Sequence, residues 1–128
     1  RDHRTSQHPL DPVARVASLD LADECSMPGS VVGGTEVGEH SDPHHHGEAE
    51  TGGYVLQGSG YIRFGERYTE VIYFEEGDFV YVPPFVPHIE GNVSRSKELI
   101  WLTTRNPDNI VVNLPDEDVA DIELDYKD

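Results

Sequence analysis

The sequence predicts a single all-β domain, and three observations support this fold class. The chain has 128 residues, the length of one ordinary domain, and it can bury a core without disulfides. Short apolar segments rich in β-branched and aromatic residues start about 7 to 11 residues apart through its middle, the spacing typical of a sandwich or barrel. No segment keeps the 3.6-residue periodicity of an amphipathic helix.

The predicted strands are separated by turns that contain glycine. Gly58-Ser59-Gly60 is predicted to join the segments YVLQ and YIRF as a hairpin, because glycine readily adopts the positive φ that short loops need. The segment EEGD at 75–78 predicts a second turn. The predicted strand segments are Val31-Val32, Tyr54–Gln57, Tyr61–Phe64, Val71–Phe74, Phe79–Val82, Leu99–Thr103 and Ile110–Leu114.

The composition divides the chain into three parts. Residues 1–30 are predicted to be an N-terminal extension, partly disordered or forming an edge strand, because the first twelve are polar and proline-containing. Residues 31–114 hold the predicted strands. Residues 115–128 form an acidic tail, expected to be solvated and at most briefly helical around residues 119–123.

The charge of the chain limits its partners. The sequence has 9 Lys and Arg against 25 Asp and Glu, a net charge of −16. Such a surface repels phosphate, so we expect neither nucleic acid nor an anionic membrane as a partner. The single cysteine, Cys25, excludes an internal disulfide and fits a reducing compartment. Together with the absence of an apolar leader, this predicts a cytoplasmic protein.

The segment SDPHHHGEAE at 41–50 is a candidate metal half-site. On a strand, alternation directs His44 and His46 to one face and His45 to the other. The Cα atoms of the first two would then lie about 6.6 Å apart, close enough to share an ion. Glu50 can join them only if the chain bends, and either Gly47 or the pair Gly52-Gly53 offers the conformational freedom for such a bend. An exposed polar loop is the alternative interpretation.

The segment GDFVYVPPFVPHIEGN at 77–92 is a candidate second half-site. After an apolar strand, three prolines stiffen the approach to His88, so this approach is predicted to be neither helix nor central strand. A stiff segment that ends in one histidine can hold the ring at a set angle. The alternative is a proline-rich edge with a surface histidine.

The first segment resembles a motif of the cupin family, which has the form G-x5-H-x-H-x3-E-x6-G. Gly38, His44, His46 and Glu50 fall on this spacing. The closing glycine is one residue late, at Gly58.

The second segment resembles the other cupin motif, G-x5-P-x-G-x2-H-x3-N. Gly77, Pro83, His88 and Asn92 match it, and Phe85 stands where glycine is usual. The resemblance covers about residues 31–104, and both motifs together at this spacing are specific. It implies a jelly-roll-type β-barrel at 31–114 that belongs to the small single-domain cupins.

The resemblance also implies a metal centre and a function. The metal ligands would be His44, His46, Glu50 and His88, with His45 excluded, holding one divalent transition metal: Fe, Mn, Ni, Zn or Cu. Such a protein is expected to be a metal-dependent enzyme on a small organic substrate, of dioxygenase (an oxidoreductase), isomerase or lyase type. The alternatives are a non-catalytic cupin that binds or senses a small ligand, and a structural metal site in an oligomeric barrel.

Several side chains near the predicted metal are candidates for a catalytic role. Tyr54, Tyr61 and Tyr81 could move protons, although tyrosine is also ordinary core filler. Arg63 could pair with an anionic substrate or form a surface ion pair. We expect a homodimer, because the family commonly pairs barrels through edge strands.

Overall fold

The structure, a computed structural model, describes residues 14–16 and 31–128. Within these residues it contains ten β-strands, a short 3-10 helix at Glu66–Tyr68 and no α-helix. The strands are β1 (Ala14–Val16), β2 (Val31–Thr35), β3 (His44–His45), β4 (Glu50–Gln57), β5 (Ser59–Phe64), β6 (Glu70–Glu75), β7 (Phe79–Val82), β8 (His88–Asn92), β9 (Leu99–Asn106) and β10 (Val112–Asn113).

The strands form two five-stranded antiparallel sheets. The first has the order β1-β7-β4-β9-β2 and the second the order β10-β3-β8-β5-β6. Buried residues from both sheets belong to one cluster, so the sheets face each other across a common core. The all-β, jelly-roll-type fold class predicted from the sequence is confirmed.

The core depends on the alternation of side chains along each strand. Leu99 is fully buried on β9, and Trp101, two residues later, stacks on Phe74 with ring centroids 5.1 Å apart. Because Phe74 belongs to the second sheet and Trp101 to the first, this contact joins the two layers. Continuing the same alternation, Thr103 and Arg105 also face inward and line an internal cavity.

The hairpin predicted at Gly58-Ser59-Gly60 is wrong. Strand β4 belongs to the first sheet and β5 to the second, so the loop is a corner that carries the chain between layers. Gly58 has a φ of 90°, and a Cβ atom there would lie 2.8 Å from the carbonyl oxygen of Glu98. Glycine therefore allows two chain segments to approach closely at this corner. The local sequence of the corner looks like that of a hairpin turn.

Strand β8 was not predicted from the sequence. The three prolines end at Pro87, and a regular strand begins at His88 and runs to Asn92. It pairs with β3 on one side and β5 on the other, which makes it the central strand of the second sheet. The prolines therefore shape the approach to this strand without interrupting its hydrogen bonds.

The acidic tail lies along the protein surface, with its acidic side chains exposed. The Ala120 amide donates to the Arg67 carbonyl at 3.0 Å, and the Lys127 amide donates to the Val93 carbonyl at 2.9 Å. Apart from Ala14–Val16, which forms β1 at the edge of the first sheet, the predicted extension at 1–30, including Cys25, lies outside the described residues. Within the described part of the chain, no helix reaches the length and apolar character of a transmembrane span.

Candidate metal site

Three histidines and one glutamate converge inside the protein. His44, His46, His88 and Glu90 each contribute one potential ligand atom, and these atoms all lie within 4.8 Å of one another. The centroids of the three imidazole rings are 4.4 to 5.0 Å apart. The histidines are almost fully buried, so the four groups form an internal cluster and not an exposed polar loop.

Two short segments of the second sheet position this cluster. His44 on β3 lies directly opposite His88 on β8, so the antiparallel ladder brings both rings to the same face. After β3 the chain turns, with the Ala49 amide donating to the His46 carbonyl at 3.0 Å and Gly47 at a φ of 59°. Of the two bend positions that the sequence predicts, the chain turns at Gly47, whereas Gly52 and Gly53 lie within β4 of the other sheet.

Each histidine is oriented by a hydrogen bond to a backbone carbonyl. Nδ1 of His44 donates to Asp42 at 2.8 Å, Nδ1 of His46 donates to Ile110 at 2.7 Å, and Nδ1 of His88 donates to Val86 at 2.8 Å. Because a carbonyl can only accept, the Nδ1 atoms carry hydrogen and the Nε2 atoms face the cluster. Metal-binding histidines are usually held in this way.

His45 does not join the cluster. Its Nδ1 accepts a hydrogen bond from the Gly47 amide at 2.9 Å, and its ring lies 6.0 Å from that of Phe85. This placement agrees with the alternation that the sequence predicts. Phe85, which occupies the usual glycine position of the second motif, has a φ of 61° and is largely exposed.

The carboxylate of the cluster is Glu90, whereas the sequence pointed to Glu50. Oε1 of Glu90 lies 3.4 Å from Nε2 of both His44 and His88. Glu50 instead lies beside Tyr81: burial raises the pKa of the Tyr81 hydroxyl, and the neighbouring Glu50 carboxylate raises it further. Since the next residue, Thr51, lines the internal cavity, alternation directs Glu50 to the opposite face of β4.

The sequence contains two signals that Glu90, and not Glu50, lies with the histidines. Counting back from Gly58 by the motif's own spacing of six residues reaches Thr51 and not Glu50. The late glycine therefore marks a one-residue shift in β4 relative to the histidine pair. Glu90 follows His88 by two residues on the same strand, so its side chain takes the same face as the histidine.

The buried groups of the cluster shift one another's pKa. Burial would raise the pKa of Glu90, but hydrogen bonds from His44 and His88 lower it well below its ordinary value. Burial lowers the pKa of His44, yet the neighbouring Glu90 carboxylate more than compensates and the net pKa is raised. Burial, reinforced by Arg105, lowers the pKa of His46 to about 4, so that ring is neutral at pH 7.

Two polar residues that the sequence did not single out complete the surroundings. Nη2 of Arg105 lies 3.3 Å from Nε2 of His46, and Thr51 sits directly opposite Arg105 in the β4–β9 ladder. Both line a cavity of about 10 Å³. Its lining residues are His46, Thr51, Gly53, Ile62, Val80, Val82, His88, Glu90, Trp101, Thr103 and Arg105.

None of the catalytic candidates lines this cavity. Arg63 donates through Nε to the Tyr68 carbonyl at 3.0 Å and through Nη2 to the Ala120 carbonyl, so it anchors the tail. Tyr61 is buried, and burial raises its pKa to about 12. Tyr54 and Tyr81 are partly exposed on β4 and β7, on the face opposite to the cavity-lining residues of those strands.

Comparison with solved structures shows what the fold is similar to. An oxalate decarboxylase from Lactobacillus farciminis, in a formate complex, is 20% identical with a TM-score of 0.60, over 84% of this chain and 32% of that one. The oxalate decarboxylase from Bacillus subtilis at pH 4.6 is 20% identical with a TM-score of 0.59, over 84% and 30%. This chain thus spans about a third of their length.

A smaller protein gives a similar match. A Klebsiella pneumoniae protein with a double-stranded beta-helix domain is 20% identical with a TM-score of 0.57, over 66% of this chain and 67% of that one. No curated protein matches the chain significantly. These identities show a shared fold only. The cupin domain family, however, matches residues 32–105, which is more than half of the sequence. With the two motifs and the jelly-roll fold, this match shows that the chain belongs to the cupin family.

Proposed function

We propose that the protein binds one divalent transition metal through His44, His46, His88 and Glu90 and uses it on a small organic substrate. One observation carries the proposal: three buried imidazoles, each tied at Nδ1 to a backbone carbonyl, direct Nε2 toward one carboxylate within 4.8 Å. Buried histidines in such numbers are otherwise costly, since each needs a polar partner for its inward nitrogen.

The donor set limits the kind of metal. Three imidazole nitrogens and one carboxylate suit Fe, Mn, Ni, Cu or Zn, whereas Mg and Ca prefer oxygen donors throughout. Four protein ligands leave a further position open at a metal that takes five or six ligands, as a catalytic site requires. When bound, the ion supplies a Lewis acid that polarises a substrate oxygen. The residues of the chain hold it and keep water away.

The walls of the cavity support chemistry in a water-poor space. Ile62, Val80, Val82 and Trp101 provide its apolar side, and the cavity volume is about 10 Å³. This is close to the room that one water needs. A reaction there would involve only the few substrate atoms that reach the ion. Dioxygenase, isomerase and lyase reactions, including decarboxylation, can each take place at so few atoms.

The same small volume favours a second candidate function, a cupin that holds a small ligand without turnover. The two functions differ in what a substrate screen would return. An enzyme loaded with metal should convert at least one small acid, thiol or phenol. A binding protein should respond to such compounds only by an increase in melting temperature.

The metal proposal is tested by the metal content of purified variants. We expect His88→Ala to lose the bound metal, because it removes one of four ligands. We expect His45→Ala to retain it, because that ring faces Phe85. The second variant is a matched control, since it deletes a neighbouring histidine of the same segment. Unchanged metal in His88→Ala, with the protein folded, would overturn the proposal.

We also propose that two chains associate through sheet edges. Strand β10 is an edge strand, and Val112 within it and Val111 just before it are exposed. An open edge with apolar side chains favours pairing. Light scattering should give a dimer mass, and Val112→Lys should reduce it to that of a monomer. A monomeric wild-type protein would refute this proposal.

A further inference from the structure

Two buried polar atoms beside the metal cluster have no hydrogen-bond partner. They are the hydroxyl oxygen of Thr51 and Nε of Arg105. The two residues are directly opposite each other on β4 and β9, and both line the cavity. Orphaned polar atoms are rare in protein interiors because burial without a partner is costly. Their position at the same cavity points to a ligand with acceptor oxygens.

The guanidinium of Arg105 is held in a defined orientation. Its Nη1 donates to Oδ1 of Asn109 at 2.9 Å, and its Nη2 lies 3.3 Å from Nε2 of His46. The residue is 8% exposed, so the charge is effectively buried. The lone pair of His46 cannot both accept from Arg105 and bind an ion. Metal binding therefore releases Nη2, which lies on the same edge of the guanidinium as Nε.

Two adjacent N–H donors on one edge of a guanidinium match the two oxygens of a carboxylate. The charges of the loaded site favour the same ligand. A divalent ion and Arg105 carry three positive charges, whereas Glu90 supplies one negative charge. The resulting excess of positive charge in a buried space is unfavourable unless an anion enters.

We infer that Arg105 and Thr51 form a binding site for a small carboxylate next to the metal. Arg105 binds both carboxylate oxygens through Nε and Nη2, and Thr51 donates its hydroxyl hydrogen to one of them. The cavity volume of about 10 Å³ leaves room at this position for little more than the carboxylate group of a ligand. The inference rests on the proposed metal site and identifies the substrate class of that site.

The test uses formate, the smallest carboxylate, as the probe in calorimetric titrations of the metal-loaded protein. Arg105→Gln should weaken formate binding about tenfold to 100-fold, as expected for lost hydrogen bonds to a charged group. Thr51→Val, of similar shape, should weaken it about threefold to tenfold. Arg105→Lys keeps the charge but loses the paired donors, so its affinity should fall between those of wild type and Arg105→Gln.

A second arginine provides the matched control. Arg63→Gln removes a guanidinium that donates to the carbonyls of Tyr68 and Ala120, away from the cavity, and it should bind formate as the wild type does. Equal formate binding by wild type and Arg105→Gln would overturn the inference. So would an equal loss in Arg63→Gln, because it would indicate a general charge effect.

Metal content separates failure of this inference from failure of the proposed function. Wild type without metal refutes the metal site itself. Metal retained in Arg105→Gln, with formate binding unchanged, refutes only the carboxylate site. A further measurement does not depend on comparing formate affinities: formate should increase the metal affinity of wild type, because the coupling between two ligands is reciprocal. Absence of that increase in wild type, or its persistence in Arg105→Gln, would contradict the inference.

Discussion

Glu90→Gln is the substitution that most directly separates the observed cluster from the one expected from sequence. Glutamine has nearly the shape of glutamate, so the variant keeps the packing on β8, removes the charge and replaces one carboxylate oxygen with an amide NH2 group. In the structure, Oε1 of Glu90 lies 3.4 Å from Nε2 of both His44 and His88. We expect the variant to fold and to bind the metal more weakly.

The size of the loss is estimated by treating the Glu90 carboxylate and the bound ion as a buried charge pair. Removing one partner of a buried charge pair costs about 3–5 kcal/mol. The Glu90 side chain is 19% exposed, which places the estimate at the lower end, about 3 kcal/mol. At 1.4 kcal/mol for each factor of ten, this corresponds to about 10²-fold weaker metal binding.

The measurement is a competition titration of the metal against a chelator of known affinity, at constant pH. Glu50→Gln is the matched control, because it makes the same chemical change on the opposite face of β4, beside Tyr81. We expect Glu50→Gln to bind metal as wild type does. Loss of affinity in Glu50→Gln with none in Glu90→Gln would refute the assigned ligand set.

Three further predictions concern the core, a sheet corner and the tail. Leu99→Ala should lower the free energy of unfolding by about 3 kcal/mol in urea titrations, because the side chain is fully buried; a loss below about 1 kcal/mol would contradict the core assignment. Gly60→Ala should cost about 1–3 kcal/mol in the same assay, since its Cβ would lie 2.7 Å from the Gly91 carbonyl oxygen, and a neutral effect would contradict this close approach. Asp128 accepts hydrogen bonds from the Ser96 hydroxyl and the Arg95 amide, and these lower the pKa of its carboxyl group. The contacts are therefore fully formed above the ordinary pKa of Asp and are lost as the pH falls through the lowered pKa. The Arg95 amide resonance should shift during that acid titration and not in Asp128→Asn; the same shift in the variant would refute the contact.

The sequence predicted most strands because their signal is local. Alternating β-branched and aromatic residues identify Phe79–Val82 with the bounds that the structure has. The pairing of strands is not local, and the predicted hairpin at Gly58 failed for this reason. A glycine-containing turn looks alike whether it returns to the same sheet or crosses to the other one. Strand β8 was missed because the prolines before it obscured its start at His88.

The histidines of the site could be predicted because strand alternation places His44 and His46 on one face and the resemblance to the second cupin motif adds His88. The carboxylate could not be assigned with the same rule, since the bend at Gly47 and the register of β4 decide which of Glu50 and Thr51 faces inward. Arg105 carried no motif. Its role depends on its position opposite Thr51, which exists only once β4 and β9 are paired.

The sequence by itself determined the all-β class, the family resemblance, the acidic surface and the histidines that come together. The fold class and the shared face of His44 and His46 depend on composition and on neighbours a few residues apart, where the geometry of a strand is constant. His88 was identified through its place in the second family motif. The tertiary structure alone decided that Glu90 supplies the carboxylate and that Arg105 and Thr51 face the same cavity. Those relations join strands distant in the chain, and a shift of one residue in register reverses every side chain from one face of a sheet to the other.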